Sequence, residues 1–180
     1  QTLDHWLDLN CTSDFEDLKQ AIGNFTMIQS LPQIILKKEE LVQILIGNLN
    51  KQDNKALEVV LDLIAALSRD LQYDFYPYLF DFIQHLVNLL EIQESELIER
   101  IFLCLAHLFK FLWRYIVKDF DKVYNLYSNR LLLSSQKWYI RQFASEAVSF
   151  LIRKVEDKNK CIEMIFENLE QNPNIIQGVG

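Results

Sequence analysis

Glycine and proline are scarce in this 180-residue chain, which holds four of the first and three of the second. That scarcity argues against disorder and suits long helices with short connections. It also removes the glycine-rich phosphate loops. With glycine only at Gly23, Gly47, Gly178 and Gly180, neither Gly-x-Gly-x-x-Gly nor a P-loop is present. His-Glu-x-x-His and Gly-x-Ser-x-Gly are missing as well. No residue is therefore nominated as a general acid, base or nucleophile, and the expectation is a protein that is not an enzyme and takes no cofactor or small-molecule substrate.

Cysteine is equally sparse, at Cys11, Cys104 and Cys161. An odd number, spaced 93 and 57 residues apart without a Cys-x-x-Cys, reads as a set of reduced thiols. Cys104 and His107 stand at i, i+3 on one apolar segment, so both could face one metal. Two ligands do not make a zinc site and no third lies nearby, so core packing is the reading. Asn10-Cys11-Thr12 and Asn24-Phe25-Thr26 match the glycosylation acceptor pattern, and reduced cysteines make them chance matches.

A long uninterrupted apolar run is also lacking. The most apolar stretch, Ile101–Val117, is broken by His107, Lys110 and Arg114, which suits a buried solenoid helix and not a membrane span. Nor is positive charge in excess. The formal net charge is −7, so the whole chain is no general binder of polyanions, and any such contact must be local. Glu91, Glu94, Glu96 and Glu99 crowd one junction, where carboxylates stay solvated and suit a helix N-terminus. The chain does not begin with methionine, and Asn174–Gly180 offers no capping element. The expectation is an excerpt of a longer protein.

Half of the residues are hydrophobic, enough for a core of ordinary domain size. The helix starts organise them. Ser13, followed by Glu16, forms a capping-box pattern. Asn54, Ser95 and Ser135 each precede an apolar helical run and offer a side-chain acceptor to the first-turn amides. These four starts lie 41, 41 and 40 residues apart, a period in the HEAT and armadillo range.

Similar residues also return at an interval of 41. In the first helix of each pair the columns are Ala65/Ala106/Ala147, Leu61/Phe102/Phe143 and Leu57/Ile98/Tyr139. In the second they are Leu41/Phe82/Val123/Met164 and Val42/Ile83/Tyr124/Ile165. Leu45, Leu86 and Tyr127 continue the pattern until Asn168 breaks it, and Asn24 breaks the alanine column in the first repeat. One amphipathic pair cannot bury both apolar faces, so pairs stack, with the alanine column allowing close approach of first helices.

The fold expected is all-α, an α-solenoid of about four HEAT-like antiparallel helix pairs. It forms one segment over 1–180, with repeats at about 13–53, 54–94, 95–134 and 135–173. Eight helices are predicted, at roughly 14–30, 38–50, 55–71, 75–90, 96–114, 119–133, 136–154 and 158–172. Pro32 separates the first two, Pro77 occupies a first turn and Pro173 ends the last. The aromatic run Phe75, Tyr76, Tyr78, Phe80 and Phe82 could stack nucleobases, but it reads more simply as the packed face of one helix.

One basic feature stands out. Arg69, Lys110, Arg114, Arg153 and Lys154 fall near the C-terminal ends of first helices. Cations there complement exposed carbonyls and the helix dipole. Stacked side by side, the same ends would also make a basic edge suited to phosphates or an acidic segment. Lys110, Arg114, Arg141, Arg153 and Lys154 are therefore the candidate contacts for an anionic partner.

Three stretches carry a resemblance: SRDLQYDFYPYL at 68–79, LAHLFKFLWRY at 105–115 and YIRQFASEAVSFLIRKV at 139–155. The turn Asp74-Phe75-Tyr76-Pro77 is part of it, as are Leu108-Phe109-Lys110 with Trp113-Arg114 after it. So is the helix Ile140-Arg141-Gln142-Phe143-Ala144, closing on Arg153-Lys154. Together they resemble the N-terminal region of the "down-regulated in metastasis" family, the large HEAT-repeat component of the small-subunit processome. Gln142 stands where the family often has a second arginine, and Ala147-Val148 replaces a more usual serine-phenylalanine pair. The resemblance implies a nucleolar, nuclear, non-catalytic scaffold that matures small-subunit ribosomal RNA. Its partners would be processome proteins and pre-ribosomal RNA or a small nucleolar RNA particle, with no membrane. The residues alone leave open another HEAT scaffold, such as a nuclear transport receptor or kinase-type solenoid, and a fragment of an enzyme whose catalytic domain lies elsewhere.

Overall fold

The computed structural model describes residues 31–50, 56–92, 95–129, 135 and 137–171. Every element among them is helical. In chain order they are α1 (Leu31–Leu36), α2 (Lys38–Leu49), α3 (Leu57–Leu71), α4 (Leu79–Ile92), α5 (Ser95–Ile116), α6 (Phe120–Asn129), α7 (Trp138–Lys154) and α8 (Lys158–Gln171). Short 3-10 turns at Gln72–Asp74, Tyr76–Tyr78 and Val117–Asp119 join α3 to α4 and α5 to α6. The architecture is an all-α solenoid. The chain divides into two compact units, with the division between Phe111 and Leu112 within α5.

In the first unit each helix is apolar along the face its neighbours cover. On α2 the buried residues Leu41, Val42, Leu45, Asn48 and Leu49 follow the i, i+4, i+7 stripe. On α3 burial is nearly continuous, from Leu57 through Val59–Leu61, Leu63–Ala65 and Leu67–Ser68 to Leu71. A helix that apolar needs neighbours on several sides, and α3 contacts both α1 and α2. The second helices stack on each other as well, since α2 packs against α4, whose start lies 41 residues later. Ser68 is wholly buried and satisfied, donating its hydroxyl to the Ala65 carbonyl at 2.7 Å.

The corner between α3 and α4 is built from the aromatic run. Phe75 is fully buried and stacks on Phe82 at 5.0 Å between ring centroids. Tyr76 meets Phe80 edge-on at 6.0 Å, and both are half buried. The run is packed, but as a corner of two 3-10 turns leading into α4 and not as the face of one helix, because α4 starts only at Leu79. Pro77 sits in the 3-10 turn just ahead of α4, and Pro32 lies in the first turn of the short α1. A proline is tolerated at both places because a first turn leaves amides unpaired. Gln72 ends α3 with φ 45°, the one described non-glycine residue with positive φ. Lys38 at the head of α2 pairs with Asp74 in this corner at 2.5 Å.

The alanine column is corrected in part. Ala65 and Ala147 are buried, but Ala106 is exposed. The small residue that touches α3 is Cys104, whose thiol donates to the Leu61 carbonyl at 3.4 Å. Arg100 reaches Glu58 at 2.5 Å along the same pair of helices. These contacts span 43 and 42 residues, so α5 is turned slightly from the register that an interval of 41 implies. His107, set beside Cys104 in sequence, stacks on Phe111 at 5.6 Å.

In the second unit α6 contacts α7, and α7 contacts α8. Phe120, Val123 and Tyr124 are buried on α6, Ile140, Ala144, Ala147, Val148 and Leu151 on α7, and Cys161 and Ile165 on α8. The serine cap expected for α7 is displaced. Lys137 occupies the N-cap position with extended backbone, and Ser135 instead accepts the Lys137 amide at 3.3 Å, two residues on. A hydroxyl bonding so near its own backbone forms a turn, not a helix cap. Asp157 is a cap that the spacing of serines and asparagines does not reveal. Its carboxylate accepts the Lys160 amide at 3.0 Å, three residues into the first turn of α8. The predicted helix at 14–30, Asn54, Asn10, Asn24 and Cys11 lie outside the described residues.

Candidate anionic-partner surface

The second unit carries a groove of about 520 Å³ where the turn after α5 faces the junction of α7 and α8. Trp113, Val117, Phe120 and Val155 supply apolar wall. Arg114, Lys118, Lys154 and Lys160 bring positive charge, against the carboxylates of Asp121, Glu156 and Asp157. Trp113 organises the cations. The Lys154 ammonium lies 5.2 Å from the indole centroid and the Arg114 guanidinium 5.6 Å from it. Lys154 also approaches the Phe150 ring at 5.9 Å. An aromatic face holds a cation electrostatically, by about 0.5–1 kcal/mol at exposed sites. Both side chains stay exposed while they lie over the indole.

The geometry sorts the candidate cations. Arg114 and Lys154 are brought together at Trp113. Arg153 is exposed in the last turn of α7. Arg141 is turned elsewhere, its guanidinium donating to the Ser135 carbonyl and holding the extended lead into α7. Lys110 belongs to the first unit, where it is exposed with its ammonium 5.7 Å from the Phe111 centroid. Arg69, also in the first unit, forms a two-point pair with Asp70 at 2.7 and 3.2 Å. Lys118 and Lys160 join the groove without having been singled out by sequence. Lys160 follows the Asp157 cap by three residues, and that cap is the signal that could have placed it.

One of the three carboxylates in the groove has a structural task, since Asp157 is committed to the α8 amide. Asp119, next to the groove, lies 3.9 Å from Lys122. Cys161 forms part of the wall, and burial pushes its thiol above the usual range, with Asp121 and Asp157 adding to the effect. A raised thiol has less thiolate character at a given pH. The groove can bind charge.

The chain is similar to U3 small nucleolar RNA-associated protein 20. It is 32% identical to the Saccharomyces cerevisiae protein of that name over 187 aligned residues, which take in 99% of this chain. It is 27% identical to the Schizosaccharomyces pombe protein over 154 residues, 86% of this chain. The chain spans 7% and 6% of the lengths of these two relatives. No family model matches it. The α5 end, α7 and the α3–α4 corner, which carry the resemblance in sequence, all fall within a chain aligned almost end to end with the budding-yeast relative. No described helix is long and apolar enough to cross a membrane.

Proposed function

We propose that this chain is one solenoid segment of a large non-catalytic scaffold in the nucleolar small-subunit processome, where it supports maturation of small-subunit ribosomal RNA. The observation that carries the reading is the similarity, over nearly the whole chain, to a protein named for association with the U3 small nucleolar RNA. The all-helical stack supports it, because stacked pairs offer extended surface and no enclosed reactive centre. The segment is one run of four HEAT-like repeats over about 13–173, and it belongs to the "down-regulated in metastasis" family. Within it, Arg114 and Lys154, with Lys118, Lys160 and Arg153 around them, contact phosphates of the ribosomal or small nucleolar RNA.

The test is purification of the full-length tagged protein followed by sequencing of the RNA that comes with it. U3 and small-subunit precursor RNA should be enriched, and depletion should leave that precursor unprocessed. Enrichment of neither RNA would overturn the reading. Recovery of a nuclear GTPase in their place would favour a transport receptor.

A further inference from the structure

The outer face of α8 is built unlike the other second helices. Its inner face buries Cys161 and Ile165. Its outer face carries Ile162, 42% exposed, and Phe166, 61% exposed, with Leu169 half buried. The three stand at i, i+4 and i+7 and so form one apolar ridge. Beside the ridge run Glu163, Glu167 and Glu170, all exposed and again at i, i+4 and i+7.

Leu169 falls in a column whose earlier members, Ile46 and Val87, are half buried and buried, but stacking of a further repeat does not require Ile162 and Phe166 to be apolar. The residues 41 positions before Ile162 and Phe166 are Asp121 and Asn125, both exposed. Those 82 positions before are Phe80 and Gln84, half buried, and those 123 positions before are Glu39 and Gln43, exposed. On α2, Glu39 and Gln43 remain exposed although α4 packs against that helix. These two positions on α2 therefore point outward even where a neighbour is stacked, whereas on α4 they are half covered. α4 carries one large apolar residue in this register, Phe80, half buried against Tyr76, whereas α8 carries two and both are exposed. Adjacent exposed apolar side chains rimmed by charge mark interaction sites.

We propose that the outer face of α8 docks a basic amphipathic segment of a partner protein. Apolar anchors of that segment pack on Ile162 and Phe166, and its lysines or arginines meet Glu163, Glu167 and Glu170. Charge complementarity selects this occupant. Three aligned carboxylates repel nucleic-acid phosphates and anionic lipid alike. A second copy of the chain would set this acidic face against another of net charge −7. The row of carboxylates is opposite in sign to the cationic groove, whose Lys160 stands one and two turns before Glu163 and Glu167 on the same helix.

The test uses the full-length protein with a photoreactive phenylalanine analogue at position 166, irradiated within purified particles. Crosslinks should map to protein segments that combine leucine or isoleucine with lysine or arginine. Those segments, made as labelled peptides, should lose at least tenfold in affinity for Phe166→Ser and for the pair Glu163→Lys and Glu167→Lys. Both changes lie on an exposed face and leave the helix intact, which circular dichroism checks. Crosslinks to RNA, crosslinks only to another copy of this chain, absence of crosslinks, or peptide binding unchanged in both variants would each overturn the proposal.

Discussion

Truncating Phe75 tests whether the corner between α3 and α4 is a true core. Phe75 is wholly buried between two 3-10 turns, and its ring stacks on Phe82 at 5.0 Å with 13° between the planes. A buried aromatic side chain of this size contributes about 3 kcal/mol through the apolar area withdrawn from water. Loss of the ring pair adds about 0.5–1.5 kcal/mol. The space left by alanine cannot close fully, because Phe82, on which it stacks, is itself fully buried on α4. Phe75→Ala should therefore cost about 3–5 kcal/mol, and Phe75→Leu, which keeps most of the volume, about 1–1.5 kcal/mol. Urea denaturation followed by helical circular dichroism measures both. A loss below about 1 kcal/mol for alanine, or equal losses for the two variants, would show that the corner is not packed as described.

The alanine column gives a contrasting pair. Ala65→Leu forces extra methylenes into a filled layer and should cost about 1–3 kcal/mol, whereas exposed Ala106→Leu should stay within about 0.5 kcal/mol in the same urea titration. Asp157→Ala should destabilise α8 by about 0.5–2 kcal/mol, seen as faster amide exchange in its first turn, while Asp157→Asn keeps most of the protection. Burial raises the Cys104 thiol above its ordinary 9.0, with Asp62 adding to the effect. The folded state thus holds that proton more tightly than the unfolded one, so this contribution is complete below about pH 9 and is lost as pH climbs. Urea midpoints of wild type should fall from pH 8 to pH 10 more steeply than those of Cys104→Ala, and iodoacetamide should reach Cys104 only on unfolding. Charge reversal at Arg114, Arg153 and Lys154 should lower RNA affinity and flatten its dependence on salt. The slope should fall by about 0.7 for each single-strand phosphate no longer neutralised, and an unchanged slope would assign these cations to helix-end electrostatics.

Amphipathic period and turn chemistry by themselves determined the class of this protein and most of its helices. A stripe such as Leu41, Val42, Leu45 and Leu49 can be buried only as one face of a helix, so α2, α3, α7 and α8 lie within about two residues of their predicted ranges. The lack of glycine-rich phosphate loops likewise follows from composition alone. What the tertiary structure decided was how far each helix is turned about its axis, and which polar groups meet. An interval of 41 aligns Ala106 with Ala65, but the thiol of Cys104 is what reaches the Leu61 carbonyl, and Ala106 faces outward. A cap residue is recognised by which amide its side chain can reach, and that depends on backbone path, so Asp157 capped α8 while Ser135 made a turn. The cations were visible as a set in sequence. Their use was not, because a charge seeks the nearest partner in space. Arg141 found the Ser135 carbonyl, Arg69 found Asp70, and only packing brought Arg114 and Lys154 to the same indole.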